Sequence, residues 1–481
     1  MSVADLARRL RSAELTPTEA VDGYLARIER LNGDLNAYIT VLAEEARVEA
    51  AAREKDPPEA RGPLWGVPVG IKDVIDVADA PTTAGSAVYG RSNVPTTDST
   101  VVARLRAAGA VILGKVNTHE FAFGAMTTSP WPGAAHNPWD LDRICGGSSG
   151  GSGCVAGADL AAGTLGTDTA GSIRIPAAVC GATGIRPSTG RVSNRGVVPV
   201  SQTFDTVGPI ARSAEDCALL LGAIAGHDPA DPTTVSAPVP DYAAELGRGI
   251  RGLRLAVLAE RFESGVREDI AAAGRNAIEA LREAGAVIEE VREPRLTEAN
   301  IVQQLMMLPE AATMHRALMR SQLGDYGPDV RVRLLSGMLL PATAYVTGQR
   351  ARRWLYESVR WVFERYDAVL QPAFPILPPR IGEQTVELNG EQVPYRLSFL
   401  AFQSPWSCLG VPALSVPSGL VEGMPVSLGV AGPRLGEGTV LRVAHALQQV
   451  TDWHLRRPEL GHGAGDDVIL PRRTERERER S

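Results

Sequence analysis

Long hydrophobic runs are missing from this sequence of 481 residues. The longest apolar stretch, from Cys217 to Gly226, has ten residues, whereas a helix that crosses a membrane needs about 20. The first dozen residues include Asp5, Arg8 and Arg9, without the apolar segment of a secretory signal behind them. These absences predict a cytoplasmic protein that has no membrane partner.

An excess of positive charge and any pairing of cysteines are also missing. The 49 basic and 56 acidic residues give a formal net charge of −7, and no block of five like charges occurs. The sequence thus lacks the basic patch that nucleic-acid binding requires, and we expect no nucleic-acid partner. The five cysteines are scattered without a CxxC pair, which favours buried thiols over disulfides or a zinc site.

Apolar residues make up 44% of the chain, and their spacing predicts an α/β fold. Two short helices are predicted between Val3 and Asn32. Thr16-Pro17-Thr18-Glu19 has the hydroxyl, proline and glutamate that start the second with a capping box. Farther along, strand-like and helical patterns alternate. The strands are predicted within 64–77 and at 110–113, 253–258 and 287–291, and the helices at 100–108 and 267–284.

One large domain is predicted, because no change in composition accompanies the proline-rich segment His227–Pro240. Asn389-Gly390 predicts a tight β-hairpin in the second half of the chain. The charged C-terminus has too little apolar content to pack, which predicts a flexible tail. The predicted boundaries are 1–463 for the domain (helices over 3–55, a central segment over 60–225, a second half over 245–460) and 464–481 for the tail.

Small residues dominate between Gly146 and Gly184, where GGSSGGSG is followed by GTDTAGSIRIPAAVCG. Such a backbone can approach a substrate closely and point several N–H groups at it, as oxyanion holes do. A phosphate-binding loop would need a lysine and a hydroxyl after the glycines, and both are missing. A flexible linker has no use for Asp168 and Arg174 beside β-branched residues, and the GxSxG elbow of an α/β-hydrolase is absent.

Three other motifs suggest chemistry that the sequence does not complete. Gly109–Val116 has the GxxxxGK spacing of a nucleotide-binding loop, but its interior is that of a buried strand. His119-Glu120 is half of a zinc motif, with Phe123 where the second histidine should stand. Cys180 could be a nitrilase-like nucleophile, yet no matching glutamate and lysine motifs accompany it. We therefore expect neither a metal nor a cofactor, and a packing role for Cys180.

The two glycine-rich motifs, together with GVPVGIKD at 66–73, resemble the amidase signature family. The resemblance extends from about residue 3 to 460 and includes NPWD at 137–140 and SQTFDTVGP at 201–209. It implies an α/β fold in a single large domain, with a central mixed twisted β-sheet covered by helices on both sides. It also implies a Ser-cisSer-Lys catalytic set, a small-molecule amide-type substrate and a homodimer.

Carried over by position, the resemblance gives each site residue a role. Ser172 resembles the nucleophile, Ser148 the bridging serine and Lys72 the base; the two serines lie 24 residues apart. Asp168 and Arg174 are expected to pair behind the site and hold its loop. The backbone N–H groups expected to form the oxyanion hole are those of Thr169, Ala170, Gly171 and Ser172.

The chemistry of Lys72 supports the same role independently. A serine hydroxyl is a weak nucleophile until a base takes its proton, and none of the seven histidines lies in a motif of this kind. A lysine is a base only when neutral, whereas its ordinary pKa is about 10.4. Val67, Val69 and Ile71 surround Lys72 with apolar residues, so we predict that burial lowers its pKa towards about 7 or 8.

Three functions stay open at this point. The first is a stand-alone hydrolase of a small amide or of a related carbamate, urea or hydrazide. TDTAGS, with Ala170 where many family members have glycine, also resembles allophanate hydrolases, which adds an allophanate or biuret-type urea bond. The second is the A subunit of a tRNA-dependent glutamine amidotransferase. The third is a catalytically silent scaffold, which the presence of all three catalytic positions disfavours.

Two features favour the stand-alone hydrolase over the amidotransferase. Trp131-Pro132-Gly133 stands where the amidotransferase is expected to be more polar. The apolar residues between Leu305 and Leu340 suit a hydrophobic acyl pocket. That pocket is expected to be lined by loops at 121–136, 300–316 and 372–408.

Overall fold

The strands form one mixed sheet of eleven members and two small two-stranded sheets within residues 1–460, which the computed structural model describes. The tail predicted at 464–481 lies outside the described residues. The strands are β1 (Tyr38–Val41), β2 (Pro68–Lys72), β3 (Val111–Val116), β4 (His136–Asn137), β5 (Asp140–Ile144), β6 (Gly163–Asp168), β7 (Thr183–Arg186), β8 (Thr206–Ala211), β9 (Arg254–Leu258), β10 (Val287–Val291), β11 (Ala368–Pro372), β12 (Thr385–Leu388), β13 (Glu391–Pro394), β14 (Ala413–Val421) and β15 (Met424–Ala431).

The order in the large sheet is β1-β3-β2-β6-β8-β7-β14-β15-β11-β9-β10. The first six strands in this order come from the first half of the chain, and the last five come from the second half. The two groups meet where β7 pairs antiparallel with β14, through Gly184 opposite Ser415. One continuous sheet therefore runs through both halves.

Helices flank the large sheet, which confirms the predicted α/β fold with a mixed central sheet. In the described part of the chain none of them is both long and apolar enough to cross a membrane. The helices are α1 (Val3–Arg11), α2 (Pro17–Leu35), α3 (Ala43–Arg53), α4 (Thr100–Ala107), α5 (Gly150–Gly157), α6 (Arg174–Val179), α7 (Ala214–Ile224), α8 (Tyr242–Leu246), α9 (Glu260–Glu263), α10 (Glu268–Glu283), α11 (Ala299–Gln322), α12 (Pro328–Leu339), α13 (Ala342–Arg365), α14 (Tyr395–Leu409) and α15 (Glu437–Val450).

Local sequence signals locate several elements to within a few residues. Thr16 and Glu19 form the predicted capping box of α2, each side chain accepting a hydrogen bond from the other's backbone N–H. The strand predicted at 287–291 is β10, and the helix predicted at 267–284 is α10. Asn389-Gly390 turns the predicted hairpin between β12 and β13.

Two of the predicted pocket loops contain helix. Residues 300–316 lie in α11, and α14 occupies the end of the segment 372–408. Each of these helices contains a proline, Pro309 in α11 and Pro405 in α14. A proline inside a helix removes a backbone hydrogen bond and weakens the helical signal, so the sequence alone favours a loop there.

Helix α5 consists of small residues because it is buried along its whole length. A Cβ at Gly151 would lie 2.3 Å from the backbone nitrogen of Asn117, and one at Gly153 would lie 2.7 Å from the carbonyl oxygen of Pro176 in α6. Only glycine permits this close approach of α5 and α6. The N–H of Ser149 donates to the carbonyl oxygen of Ser172 at 3.2 Å, so the chain before α5 lies against the chain before α6.

The neighbouring strand β2 brings Lys72 to the same place. β2 and β6 are parallel neighbours, with Ile71 opposite Leu165. The carboxyl ends of parallel strands lie at one edge of a sheet, the usual place for ligand sites in such folds. Lys72, the last residue of β2, therefore lies beside Thr167 near the end of β6.

Candidate active site

Lys72 is completely buried, and its amino group contacts two hydroxyl groups. Nζ donates hydrogen bonds to Ser148 Oγ and Thr167 Oγ1, both at 2.7 Å. Burial lowers the pKa of Lys72 to about 7, against upward contributions from the carboxylates of Asp168 and Asp205. The lowered pKa that the sequence predicts is confirmed. The sequence did not indicate Thr167, which becomes a partner only when β2 and β6 pair.

Ser172 lines a pocket, whereas Ser148 is fully buried. The Gly147–Ser148 peptide bond is cis, as the resemblance implies. Within residues 1–460 no hydrogen bond joins Ser148 Oγ to Ser172 Oγ. The structure thus connects Lys72 to Ser148 directly and places Ser172 on the adjoining loop. The residues lining the pocket are Ala122, Phe123, Gly124, Ala125, Gly147, Thr169, Ala170, Ser172, Ile175, Val200, Met307, Arg333, Arg396 and Leu400.

The backbone N–H groups of residues 169–172, which are the predicted oxyanion-hole donors, divide into two sets. The N–H of Gly171 donates to Asp168 Oδ1 at 2.8 Å, so one of the four predicted donors already has an acceptor. In the described residues no hydrogen bond uses the N–H of Thr169, Ala170 or Ser172. These three donors therefore stay available to an oxygen atom bound in the pocket.

The Thr169 segment is held from two sides. Gln303 Nε2 in α11 donates to the carbonyl oxygen of Thr169 at 2.8 Å, and Thr169 Oγ1 donates to Asp205 Oδ1 at 2.5 Å. Asp205 also accepts from the N–H groups of Val200 and Ser201, at 2.8 and 2.9 Å. Burial raises the pKa of Asp205 to about 6 despite these hydrogen bonds. The sequence assigns no role to Asp205 or Gln303, because their hydrogen bonds with Thr169 form only when distant parts of the chain fold together.

Asp168 and Arg174 form the predicted pair. Arg174 Nε and Nη2 donate to the two carboxylate oxygens of Asp168 at 2.9 and 3.1 Å. Arg186 adds a second guanidinium, with Nη1 3.2 Å from Asp168 Oδ1, and Ser407 of α14 contacts the same oxygen. Burial alone would raise the pKa of Asp168, yet the two guanidiniums hold it below its usual range. The sequence identified Arg174 but not Arg186.

Removing Arg174 should destabilise the fold strongly. In Arg174→Met, the buried carboxylate of Asp168 keeps Arg186 but loses its bidentate partner, and breaking such a pair typically costs about 3–5 kcal/mol. Urea denaturation of the purified protein measures the loss. Arg360→Met is the matched control, because Arg360 forms exposed pairs with Glu357 and Glu364 and should cost no more than about 1 kcal/mol. Equal losses in the two variants would contradict this prediction.

The zinc-like motif has structural partners of its own. His119 Nδ1 accepts from the N–H of Thr127 at 3.2 Å, and Nε2 lies 3.3 Å from Asp329 Oδ2. Phe123, at the position of the missing ligand, stacks under the guanidinium of Arg333 at 4.9 Å. Residues 1–460 contain no group of three or more His, Cys, Asp or Glu that could hold a metal ion.

The other two motifs are buried away from the pocket. All five cysteines are buried and unpaired, as predicted. Cys180 Sγ lies 3.7 Å from the carbonyl oxygen of Cys145, and burial raises the pKa of its thiol. The GxxxxGK segment forms the buried strand β3, where Lys115 Nζ lies 2.9 Å from Asp73 Oδ1.

The pocket walls differ in part from the prediction. Phe123, Met307 and Leu400 fall in the three expected ranges, but Val200 and Arg333 do not. Most of the apolar residues between 305 and 340 lie elsewhere. Met314, Met338 and Leu340 line another cavity, of about 520 Å³, between α11 and α13. Trp131, which in the sequence counts against the amidotransferase, lies outside the pocket with Ser172.

Comparison with known proteins finds relatives over almost the whole chain. The A subunit of the glutamyl-tRNA(Gln) amidotransferase of Roseiflexus sp. (strain RS-1) is 38% identical, and the match covers 96% of this chain and 98% of the relative. A solved structure, described as a vestigial protein complex that reveals the origins of an s-triazine catabolic enzyme, has a TM-score of 0.89 at 34% identity. The match covers 93% of this chain and 98% of the chain in that structure. A crystal structure of an amidase has a TM-score of 0.84 at 33% identity, covering 93% and 99%.

These relatives bear on the alternatives that the sequence left open. The name of the curated relative agrees better with the amidotransferase, while the solved amidase fits the stand-alone hydrolase. Both alternatives are enzymes that act on carbon–nitrogen bonds. The sequence profile of the Amidase family matches residues 19–441. The chain therefore belongs to the Amidase family, the amidase signature family that its motifs resemble.

Proposed function

We propose that this protein hydrolyses the carbon–nitrogen bond of a small amide-type substrate through an acyl-enzyme on Ser172. The observation that carries the proposal is the fully buried Lys72, whose Nζ lies 2.7 Å from Ser148 Oγ beside the Ser172 loop. A buried lysine with a pKa of about 7 is suited to the work of a general base. The cytoplasmic location and the homodimer belong to this proposal.

The proton moves through two hydroxyl groups. Neutral Lys72 takes a proton from Ser148 Oγ, Ser148 takes one from Ser172 Oγ, and Ser172 Oγ attacks the carbonyl carbon of the substrate. The step from Ser172 to Ser148 requires the two hydroxyls to approach each other when substrate binds. Catalytic hydrogen bonds are often long in empty sites and tighten in the substrate complex.

The tetrahedral intermediate places negative charge on the former carbonyl oxygen. The N–H groups of Thr169, Ala170 and Ser172 can donate to this oxygen, and removing one such donor typically costs about 3 kcal/mol. The relay then runs in reverse and delivers a proton to the leaving nitrogen, which allows the carbon–nitrogen bond to break. Water attacks the acyl-enzyme by the same route and releases the acid.

A glutamine-using amidotransferase is the second candidate, favoured by the names of the curated relatives. Free glutamine carries an ammonium as well as a carboxylate, and a buried ammonium needs an acceptor. The described residues that line the pocket include the guanidiniums of Arg333 and Arg396 and no carboxylate. The pocket therefore supports a small amide without an ammonium group better than glutamine, and we propose no nucleic-acid partner.

Rates of nitrogen release decide between the two candidates. The purified protein should be assayed on aliphatic amides, aryl anilides, carbamates, ureas, hydrazides and glutamine, with Ser172→Ala as the background. We expect the best non-glutamine substrate to exceed glutamine by at least about tenfold in kcat/KM, since an unpaired buried charge weakens binding at this scale. Glutamine as the best substrate would support the second candidate and contradict the first.

A further inference from the structure

Two arginines share the pocket with Ser172. Arg333 comes from α12, and Arg396 lies in the first turn of α14. Both belong to the second half of the chain, whereas Lys72 and the two serines belong to the first half. The sequence singled out neither arginine, and the proposed chemistry uses neither.

Arg333 is only partly satisfied by its neighbours. Its Nη2 pairs with the carboxylate of Asp329, and its Nε donates to the Asp329 carbonyl oxygen at 3.1 Å. Its guanidinium stacks on Phe123. Nη1 is buried and has no hydrogen-bond partner among residues 1–460. A buried N–H group without an acceptor is costly, so Nη1 marks a place where an acceptor is missing.

Arg396 has no partner at all in the described part of the chain. Although its side chain is half-buried, no ion pair or hydrogen bond to it occurs within residues 1–460. Burial and the neighbouring Arg333 lower the pKa of Arg396 to about 10, while Asp329 and Tyr395 act in the opposite direction. An anion that enters the pocket would therefore stabilise the guanidinium of Arg396.

Among the described residues that line the pocket, the two guanidiniums have no carboxylate to balance them. Asp329 is shared between Arg333 and His119. The other nearby carboxyl group, Glu120, accepts from Ser86 Oγ at 2.6 Å and from the N–H of Gly327 at 2.8 Å. Asp329 is therefore the one carboxylate within residues 1–460 that pairs with these guanidiniums, and it does not itself line the pocket.

We propose that Arg396, with Nη1 of Arg333, binds a carboxylate carried by the acyl part of the substrate. A guanidinium matches a carboxylate in shape and charge, and the pairing is strong where water is excluded. The same pocket is also lined by Val200, Met307 and Leu400, whose apolar side chains suit a short methylene chain. The substrate class is an amide-type compound with the scissile bond at one end and a carboxylate at the other. This inference rests on the proposed function, which sets the carbonyl at Ser172.

Binding to an inactive variant tests the inference without turnover. Calorimetry on Ser172→Ala should compare succinamate, glutaramate and adipamate with butyramide, pentanamide and hexanamide, in which a methyl group replaces the carboxylate. We expect the best carboxylate of the series to bind at least about tenfold more tightly than its neutral counterpart, as for a desolvated charge-assisted hydrogen bond. Glutamine, which adds an ammonium, should bind more weakly than glutaramate.

Arg396→Met in the same background should reduce the preference for the carboxylate to within about twofold. Arg396→Lys keeps the positive charge but loses the planar guanidinium that can donate two hydrogen bonds to one carboxylate, so it should retain part of the preference. Arg331→Met is the matched control, because it removes a guanidinium from α12 that does not line the pocket, and the preference should persist. Melting curves verify that each variant is folded.

The outcomes separate this inference from the proposed function. Equal binding of charged and neutral members at every chain length would overturn it, as would a preference that survives in Arg396→Met. Absence of any measurable binding in the series would do the same. Hydrolysis is measured separately on the unmodified protein. A preference for the carboxylate without any turnover would contradict the proposed function but would still support the anion site.

Discussion

Replacing Ser172 with alanine is expected to lower kcat/KM by at least about 10⁴-fold, the scale seen when a catalytic nucleophile is removed. Among the described residues that line the pocket, Thr169 is the one other residue with a hydroxyl group. The hydroxyl of Thr169, which also lines the pocket, is committed to Asp205 at 2.5 Å, and Ser148 is fully buried. A fluorophosphonate, which reacts covalently with activated serines, should label the parent and leave Ser172→Ala unlabelled.

Ser152→Ala is the matched control for this experiment. Ser152 lies in α5 close to the bridging serine, but its Oγ donates to the carbonyl oxygen of Leu165 at 3.1 Å and does not reach the pocket. Labelling and turnover should persist in this variant. Stoichiometric labelling of Ser172→Ala would show that the nucleophile lies elsewhere.

Lys72 gives the second large effect, because its role depends on its charge state. With a pKa of about 7, the neutral fraction of Lys72 rises through pH 7, so kcat/KM of the parent should rise with pH and level off above about pH 8. Lys72→Met should lose about 10²- to 10⁴-fold. Lys72→Arg should fail as well, since a guanidinium stays protonated and cannot accept a proton. A parent profile that is flat from about pH 6 to 9 with chemistry rate-limiting, or an active Lys72→Arg, would contradict this role.

The same pKa predicts an unusual dependence of stability on pH. The pKa of Lys72 is lower in the folded protein than in the unfolded chain, where it is about 10.4, so protons favour the unfolded chain between these values. Its destabilising contribution grows as the pH falls from about 10 to 7 and is constant below. Lys72→Met has no buried ammonium and therefore lacks this pH-dependent destabilisation. The hydrogen bonds that it loses should weaken the fold equally at pH 7 and pH 10. The melting temperature of Lys72→Met relative to the parent should therefore be higher at pH 7 than at pH 10.

Lys115→Met is the control for this measurement. Lys115 is the other fully buried lysine of the described chain, but it forms an ion pair with Asp73 at 2.9 Å. Its removal leaves a buried carboxylate without a partner and should destabilise the protein. A melting-temperature difference between Lys72→Met and the parent that is the same at both pH values would show that Lys72 is not desolvated as the structure indicates.

The sequence predicted the groups that lie on short motifs and missed those that depend on packing. Lys72 and Ser148 are assigned because their short motifs resemble the amidase signature family, and the apolar neighbours of Lys72 predict its lowered pKa. Thr167 becomes a partner of Lys72 only through the parallel pairing of β2 and β6. The sequence shows that Gly171 has an N–H group, but only the folded loop shows that Asp168 accepts from it.

The pocket walls could not be predicted for a related reason. Arg333 and Arg396 lie 63 residues apart on helices α12 and α14, and nothing local distinguishes them from the other arginines of the chain. Their significance appears only in three dimensions: within residues 1–460 Arg396 has no ion-pair partner, and Nη1 of Arg333 has no acceptor. The prolines inside α11 and α14 also obscured the helices that form this wall.

The site divides along the chain in a way that bears on how such an enzyme can change its substrate during evolution. Every group proposed to move a proton lies between residues 72 and 172, while Met307, Arg333, Arg396 and Leu400 come from α11 to α14. Hydrogen bonds that join the two parts include Gln303 to the Thr169 carbonyl at 2.8 Å, and Arg174 to the Gln403 carbonyl at 3.0 Å and to Ser407 Oγ at 2.6 Å. Recombination of this helical segment between relatives can therefore alter selectivity while preserving chemistry, provided that Gln303 and Ser407 are inherited with it.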